Sequence, residues 1–212
     1  MRRRLRFVLL SGVGLGALLL AAAGFLVYWF QFGPGFEREV DRLAALLEVR
    51  PGMTLAEIGA GRGRMAVLVA RRIGSSGRLH ATEIEGGKLD AIRSGASTAG
   101  LTNVTVFRAG ADFSGLPEAC CDAVYMRRVY HHFTDAEAMN KSIYSSLRPS
   151  GRLVIIDFLS PRWPFFLRHG IPADEVARQL RSTGFTLERR LEGWSPIDYC
   201  LVFRKPVAAT SR

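Results

Sequence analysis

The sequence has only three cysteines, and it has fewer acidic than basic residues. The small number of cysteines argues against proteins that are stabilised by several disulfides or by a zinc ion. Two of the three, Cys120 and Cys121, are adjacent, so neither a disulfide framework nor a zinc-type CxxC pair can be drawn from their spacing. Adjacent cysteines seldom bridge each other because the intervening peptide strains the bond. The sequence therefore predicts buried, unbridged thiols in a reducing compartment.

The basic excess is too small and too scattered to indicate nucleic-acid binding. The 212 residues include 29 Lys or Arg and 19 Asp or Glu, a net charge of +10. Residues 1–36 hold four arginines and no acid, which leaves 25 basic against 19 acidic residues in the remainder. A surplus of this size suits an anionic membrane surface at least as well as nucleic acid, and no nucleic-acid partner is predicted.

Residues 7–30 carry no charge and predict a transmembrane helix at the N-terminus. Such a helix would be about 36 Å long, against a hydrocarbon core of about 30 Å. Arginines precede it and aromatic residues cluster where it ends, as at a membrane interface. A cleaved signal peptide, cut near Ala21–Ala23, is the alternative. Gly12 and Gly16 could pack two such helices, so a homodimer through this helix is a further expectation.

After this basic and apolar segment, residues 1–36, strands and helices alternate in a single domain, residues 37–205, followed by a tail, 206–212. The strands are predicted at Thr54–Ile58, Arg78–Ile84, Val104–Arg108, Asp122–Met126 and Leu153–Phe158, and a terminal hairpin at Thr186–Leu191 with Tyr199–Arg204. The helices are predicted at Glu37–Val49, Arg64–Ile73, Lys88–Ala99, Ala136–Leu147 and Ala173–Ser182. This alternation predicts a doubly wound α/β fold with a mostly parallel sheet, whose ligands bind at the carboxyl ends of the strands.

The most informative segment is a glycine-rich turn, E-I-G-A-G-R-G at residues 57–63, between the first strand and a helix. Glycines let the backbone turn tightly and approach a ligand, while helix N–H groups face it. The third glycine, Gly63, comes one residue earlier than in the dinucleotide fingerprint. Glu57 would repel a pyrophosphate, but it could accept a hydrogen bond from an ammonium group. The turn therefore favours a cationic amino-acid nucleoside, and a turn without a ligand is the alternative.

Acids at two further strand ends are consistent with a nucleoside ligand. Glu83 ends the second strand, where a carboxylate can accept hydrogen bonds from both ribose hydroxyls. Asp112 follows the third strand, where its carboxylate could accept from the exocyclic amine of an adenine while Phe113 packs alongside. The alternative for each acid is a solvated side chain without a ligand.

Taken in order, these motifs resemble those of class I S-adenosylmethionine-dependent methyltransferases. The resemblance is carried by E-I-G-A-G-R-G, A-T-E-I-E, C-D-A-V-Y-M and L-R-P-S-G-R-L-V-I-I-D, and it runs from about Glu37 to Lys205. The chain is most similar to the small-molecule branch that includes ubiquinone and menaquinone biosynthesis methyltransferases. This resemblance implies a Rossmann-like sheet of seven strands with the last antiparallel, S-adenosylmethionine as the cofactor, and methyl transfer to a small acceptor.

The resemblance also implies a role for each part of the site. The turn from Glu57 to Gly63, with Gly59, Ala60 and Gly61 between them, would surround the methionine part of the cofactor. Glu83 would hold the ribose, and Asp112 with Phe113 the adenine. The chain departs from the family at Ser150, where a glycine is common, and in its predicted membrane segment.

Three titratable residues, Tyr130, His131 and His132, follow the fourth strand, where the transferred methyl group is expected. Methyl transfer from a sulfonium is an in-line displacement, so alignment supplies much of the rate. A base helps where the acceptor oxygen, nitrogen or carbon must lose a proton, and histidine suits that task. We expect His131 or His132 to act as the base or to contact the substrate, with Tyr130 as a second polar wall. The alternative is a pair that only lines the pocket or caps the next helix.

Other chemistries find little support in the sequence. Neighbouring histidines rarely bind one ion together, so no metal is predicted. Neither a G-x-S-x-G elbow nor a cysteine with a partner histidine indicates covalent catalysis. Two further functions stay open: a membrane-tethered nucleoside-binding module without activity, and a reductase that uses a nicotinamide cofactor.

Two observations disagree about the location of the domain. The arginines before residues 7–30 predict a cytoplasmic N-terminus and an external domain. The cofactor is made in the cytosol and the thiols suit a reducing compartment, which favours a cytoplasmic domain on a single-pass membrane protein. An aromatic segment, residues 162–169, could form a lid or lie at a lipid interface, and in the second case the acceptor would be lipophilic.

Overall fold

The computed structural model describes residues 21, 22, 24, 34–160 and 170–207. The helices are α1 (Pro34–Leu47), α2 (Arg64–Arg72), α3 (Gly86–Thr98), α4 (Ala136–Ser146) and α5 (Ala173–Thr183), and a short 3-10 helix spans Tyr130–His132. The strands are β1 (Thr54–Ile58), β2 (Arg78–Glu83), β3 (Val104–Arg108), β4 (Cys121–Arg127), β5 (Leu147–Phe158), β6 (Thr186–Ser195) and β7 (Asp198–Arg204). The chain divides into two compact units, residues 1–42 and 43–212, and the sheet belongs to the second.

The seven strands form one sheet in the order β3-β2-β1-β4-β5-β7-β6. Strands β3, β2, β1, β4 and β5 run parallel, and β7 is antiparallel to both of its neighbours. The predicted doubly wound, mostly parallel sheet is confirmed. The antiparallel final strand that the resemblance implies is confirmed as well.

The central strands are apolar because helices cover both of their faces. Residues 153–156 of β5 are completely buried. On one face, α4 contributes Met139 and Ile143, and α5 contributes Val176 and Leu180, to a cluster with side chains from β1, β4, β5 and β7. This packing fixes the position at which each parallel strand ends. The strand ends together form the edge of the sheet where a ligand can bind.

The predicted element bounds agree with the structure within a few residues, except at the start of β5. This strand begins at Leu147, six residues before the predicted Leu153, and it includes the turn expected at residues 149–151. A break in register between Cys121 and Ala123 of β4 accommodates the extra residues as an irregularity in the ladder. Ser150 has a φ of 64°, a left-handed conformation that glycine adopts more easily.

The cysteines differ from the prediction, because the structure joins Cys120 to Cys121 in a disulfide between neighbours. In a regular strand, adjacent side chains point to opposite faces. Here Cys120 precedes β4, and Ala119 before it has a φ of 46°, so the backbone is not extended directly before the pair. Cys200 is buried in β7.

The predicted membrane segment, residues 7–30, lies outside the described residues except for Ala21, Ala22 and Gly24. Across residues 34–160 and 170–207, every helix is too short or too polar to cross a membrane. The predicted single-pass membrane localisation is contradicted by this finding, as is the transmembrane helix in the predicted fold class. The aromatic segment at residues 162–169 also lies outside the described residues.

A buried ion pair fastens the end of β4 to the turn between β6 and β7. The Nε and Nη2 atoms of Arg128 donate to the two carboxylate oxygens of Asp198 at 2.9 and 2.8 Å. Asp198 is fully buried and also accepts from the Ser195 hydroxyl at 2.6 Å. The Arg128 guanidinium carbon lies 4.7 Å from the centre of the Phe158 ring. Because neither Asp198 oxygen reaches water, its charge depends on this pair.

We expect Arg128→Met to lower the free energy of unfolding by about 3–5 kcal/mol, because it leaves an unpaired charge in the interior. Urea denaturation of the purified protein measures this. A second substitution, Asp198→Asn, should recover part of the loss by removing the charge. Ser195→Ala is the milder control, since it removes a hydrogen bond and leaves the ion pair. A stability of Arg128→Met equal to that of the wild type would contradict the assignment.

Candidate functional site

A cavity of about 520 Å³ opens at the carboxyl ends of the parallel strands. Its walls come from the turn after β1, the end of β2, the loop after β3 and the segment after β4. Strand order reverses at this point, because β2 and β4 flank β1 on opposite sides. Open α/β sheets bind ligands at such a reversal, and the volume falls within the usual range of about 300–1,000 Å³ for ligand pockets.

The turn after β1 forms one wall of the cavity through Gly59 and Gly61. Gly59 has a φ of 65°, and a Cβ atom placed on it would lie 2.7 Å from Cγ2 of Val129. No side chain fits there unless Val129 moves. The absence of a side chain lets the segment after β4 approach the turn, and the two segments together shape the cavity.

Glu83 connects this turn to the end of β2. Its carboxylate accepts hydrogen bonds from the N–H groups of Gly61 and Ile84, each at 2.9 Å. The residue is only 8% exposed, yet it lines the cavity. An ionised carboxylate offers about four lone-pair sites. Two of them are used in these contacts, which leaves capacity for hydroxyl donors of a ligand.

Glu57 lies beneath the turn and does not line the cavity. Its Oε2 atom accepts from the Tyr125 hydroxyl at 3.1 Å. Burial raises the pKa of Glu57 to about 8, although the Tyr125 hydrogen bond and the charge of Arg127 lower it. The carboxyl is therefore mostly protonated at neutral pH. Its predicted contact with a ligand ammonium group stays a prediction.

The other predicted cofactor residues lie at different distances from the cavity. Ala60 and Gly63 are buried behind the turn, and a Cβ atom on Gly63 would lie 3.1 Å from Cα of Ile92, so this glycine serves the packing of α2 against α3. Asp112 and Phe113 are exposed and do not line the cavity. The Phe113 ring covers Gly110, which does line it. The predicted roles of Asp112 and Phe113 stay predictions.

A buried aspartate orients one of the two histidines after β4. His131 Nδ1 lies 2.7 Å from Oδ1 of Asp157, and the His131 N–H donates to Oδ2 at 3.1 Å. Asp157 is fully buried at the end of β5. His132, which follows His131 in the sequence, lines the cavity, and the centres of the two imidazole rings are 4.0 Å apart. Burial, and then the neighbouring His131, lower the pKa of His132 below the usual histidine value.

Tyr130 points into the core instead of into the cavity. It is fully buried, its hydroxyl donates to Oε1 of Gln179, and it accepts from Nδ2 of Asn140, both at 2.8 Å. Burial raises its pKa to about 12. Tyr130 therefore does not form the polar wall that the sequence predicts, and it supports the 3-10 helix that carries the histidines.

Three residues of this region are absent from the sequence-based candidates. Asp157 could have been found as the acid that ends the apolar run of β5. Arg128, directly after β4, also lines the cavity and has a φ of 57°. Nothing in the neighbouring sequence indicates either feature. Lys88, in the first turn of α3, also lines the cavity and forms an ion pair with Glu85 at 2.6 Å.

Comparison with known proteins shows what the domain that carries this cavity is similar to. Residues 55–151 match the family model described as a methyltransferase domain. The ubiquinone/menaquinone biosynthesis C-methyltransferase UbiE of Enterobacter sp. (strain 638) is 28% identical over 114 residues, 53% of this chain and 45% of that protein. The chain spans less than half the length of that relative.

Solved structures share the fold. A SAM-dependent methyltransferase from Aquifex aeolicus is similar with a TM-score of 0.72 at 18% identity, over 78% of this chain and 89% of that one. At 18% identity this likeness shows the fold alone. The cyclase SpnF has the same fold with a TM-score of 0.70 at 18% identity, over 81% of both chains, so the fold alone does not fix the reaction.

Three features of the cavity fit S-adenosylmethionine, the cofactor that the sequence resemblance implies. The buried carboxylate of Glu83 has lone pairs left for the ribose hydroxyls, and the turn at Gly59 and Gly61 presents backbone without side chains. Lys88 adds a positive charge to the lining, which suits the cofactor's carboxylate. These residues would hold S-adenosylmethionine between the ends of β1 and β2.

We expect Glu57→Gln to change how stability depends on pH. The wild-type carboxyl has a pKa of about 8 in the folded protein against about 4.5 unfolded, so the folded state binds the proton more tightly. Stability from this group is complete below pH 4.5 and is lost as the pH rises towards 8, by a few kcal/mol in all. Glutamine can still accept from Tyr125, and the variant should lack this loss. Denaturation without cofactor at several pH values measures the difference, and parallel pH profiles would contradict it.

We expect Gly59→Ala to weaken binding of S-adenosylhomocysteine by more than tenfold, because its methyl group collides with Val129 inside the turn. Gly61→Ala is the matched control, since Gly61 has a similar φ of 58° but open space around its Cα. Isothermal titration calorimetry measures both affinities. The double variant Gly59→Ala with Val129→Ala should bind more tightly than Gly59→Ala alone. Equal losses in the two single variants would refute the collision.

Proposed function

We propose that the domain transfers the methyl group of S-adenosylmethionine to a small, lipophilic acceptor that loses a proton in the reaction. The observation that carries this proposal is the position of His132. Its side chain lines the same cavity as Gly59, Gly61 and Glu83, so a titratable group faces the space beside the cofactor residues. The match of residues 55–151 to a methyltransferase domain supports the reaction class.

Bound S-adenosylmethionine would supply an activated methyl group on a sulfonium sulfur. The residues of the chain then have two tasks. Glu83 and the turn at Gly59 and Gly61 hold the cofactor at the ends of β1 and β2. The segment after β4 holds the acceptor in line, and such alignment accounts for much of the acceleration of a two-reactant step.

His132 has the properties of a general base in this arrangement. Its lowered pKa keeps the imidazole neutral at pH 7, so it can accept a proton. His131 acts behind it as a positioning residue. Asp157 holds Nδ1 of His131, and the His131 ring packs against His132 at 4.0 Å. The buried carboxylate thus fixes the orientation of both rings without touching the acceptor itself.

The walls around His132 support a lipophilic acceptor. Val129, Phe133 and Met139 line the cavity next to it. Apolar walls with a few polar groups are typical of sites for small organic ligands. The relative UbiE is named as a C-methyltransferase, so an acidic carbon is one acceptor atom to test beside oxygen and nitrogen.

We expect His132→Asn to lower kcat by about 10²–10⁴-fold, the usual contribution of a general base. In the wild type, kcat should fall on the acid side of the profile, below the ordinary histidine pKa of about 6.5, because protonated His132 cannot accept a proton. The variant should lack this acid limb. Its affinity for S-adenosylhomocysteine should match that of the wild type, which separates catalysis from cofactor binding. An unchanged acid limb in the variant would exclude His132 as the base.

Labelled methyl transfer tests the function itself. The protein is incubated with methyl-labelled S-adenosylmethionine and a small-molecule cell extract, which is then separated by polarity. We expect label in the apolar fraction. Binding of S-adenosylhomocysteine without transfer to any fraction would instead support a nucleoside-binding module, and binding of NADPH in its place would support a reductase. Either result would overturn the proposal.

A further inference from the structure

A second cluster of reactive side chains lies near the amino end of β4, away from the cavity. His80 of β2, Cys120 and Cys121 bring one nitrogen and two sulfur atoms within 4.8 Å of one another. Cys121 begins β4 and Arg127 ends it at the cavity. Six steps along a strand span about 20 Å, and neither His80 nor the two cysteines line the cavity, so the cluster is separate from that site.

The cluster forms because the start of β4 is irregular. Cys121 and Val124 belong to the same buried cluster, although residues three apart lie on opposite faces of a regular strand. The register break between Cys121 and Ala123 accounts for this. His80 pairs in register with Ala56 of β1, and this small side chain leaves room for the imidazole to reach towards β4.

The distances suit one tetrahedral ion. Nδ1 of His80 lies 3.9 Å from Sγ of Cys121. A tetrahedral zinc ion, with bonds of about 2.3 Å to sulfur and about 2.0–2.1 Å to nitrogen, holds such atoms about 3.6 Å apart. Only a few tenths of an ångström separate the observed distance from that value. The imidazole is already held in place by the Phe107 ring, whose centre is 5.0 Å away.

The burial of the three residues leaves one side open to solvent. Cys121 is fully buried, and His80 is 9% exposed. Cys120 is partly exposed, which gives an ion a path from the solvent. Three protein ligands and an open fourth position are a common zinc arrangement, and a water molecule fills the fourth place.

We propose that the reduced chain binds one thiophilic divalent cation of the zinc type through Cys120 Sγ, Cys121 Sγ and His80 Nδ1. An external dithiol first reduces the Cys120–Cys121 disulfide: the S–S bond breaks, two electrons and two protons pass to the cysteines, and the dithiol becomes a disulfide. The cation then displaces the two thiol protons, which are released to solvent. The disulfide and the metal site are thus alternative states of one pair of cysteines.

The bound cation would join β2 to β4 across the amino end of β1. The sequence gives no sign of this set, because His80 lies 40 residues before Cys120 and the two cysteines lack the spacing of a metal motif. Soft thiolate ligands with one imidazole select zinc or cadmium over magnesium or calcium.

Cadmium is the probe, because its thiolate complexes have an ultraviolet charge-transfer band. The full chain is reduced with a dithiol, freed of it under nitrogen and titrated with cadmium, and zinc affinity follows by competition with a chromophoric chelator. The variants are Cys120→Ala, Cys121→Ala, His80→Asn and the double cysteine variant. Cys200→Ala is the matched control, because this third cysteine is buried in β7 outside the cluster. Circular dichroism and binding of S-adenosylhomocysteine show that each variant is folded.

We expect one cadmium ion per chain in the reduced wild type and in Cys200→Ala. Each cysteine substitution should weaken binding by more than about 100-fold, since even outer-shell partners are worth about 10–100-fold. His80→Asn should weaken it by at least tenfold. Bound zinc should also protect Cys120 from alkylation, as measured by mass spectrometry. The proposal is overturned if the reduced wild type binds no better than the double cysteine variant, if His80→Asn binds equally well, or if the unreduced chain binds one equivalent.

Discussion

The placement of β1 between β2 and β4 is the constraint on which the rest of the molecule depends. Because all three strands run parallel, their carboxyl ends meet at one edge, and the chain leaves that edge in opposite directions. Glu83 can then bind the N–H of Gly61 across one strand gap, and Val129 can cover Gly59 across the other. The cavity exists because these two contacts close around the end of β1.

The fold could be predicted from the sequence because its signals are local. The run Leu153–Phe158 is apolar at nearly every position, as in a strand covered on both faces, and the glycine turn at residues 57–63 marks the start of a helix. Glu83 can be recognised as a candidate because the sequence pattern shows where its strand ends. Such features need no knowledge of which strands are neighbours.

The remaining features depend on neighbours that the sequence does not reveal. Asp157 serves His131 only because β5 lies beside β4, 26 residues apart in the chain. Tyr130 was expected at the cavity with the histidines, but one turn of 3-10 helix sends its side chain into the core. The Cys120–Cys121 bond and the group around His80 depend on a break in strand register, for which residue types give no local signal.

The close contact of Gly59 with Val129 has a consequence for how this sequence can diverge. The two positions are 70 residues apart in the sequence, yet a side chain at Gly59 would overlap the side chain of Val129. A larger residue at Gly59 is already disfavoured by the left-handed φ, and it also needs a smaller residue at Val129, so a change at Gly59 alone passes through a blocked intermediate. Descendants of this chain should therefore keep both residues or exchange them together, so the pair should appear as covarying columns wherever enough related sequences are compared.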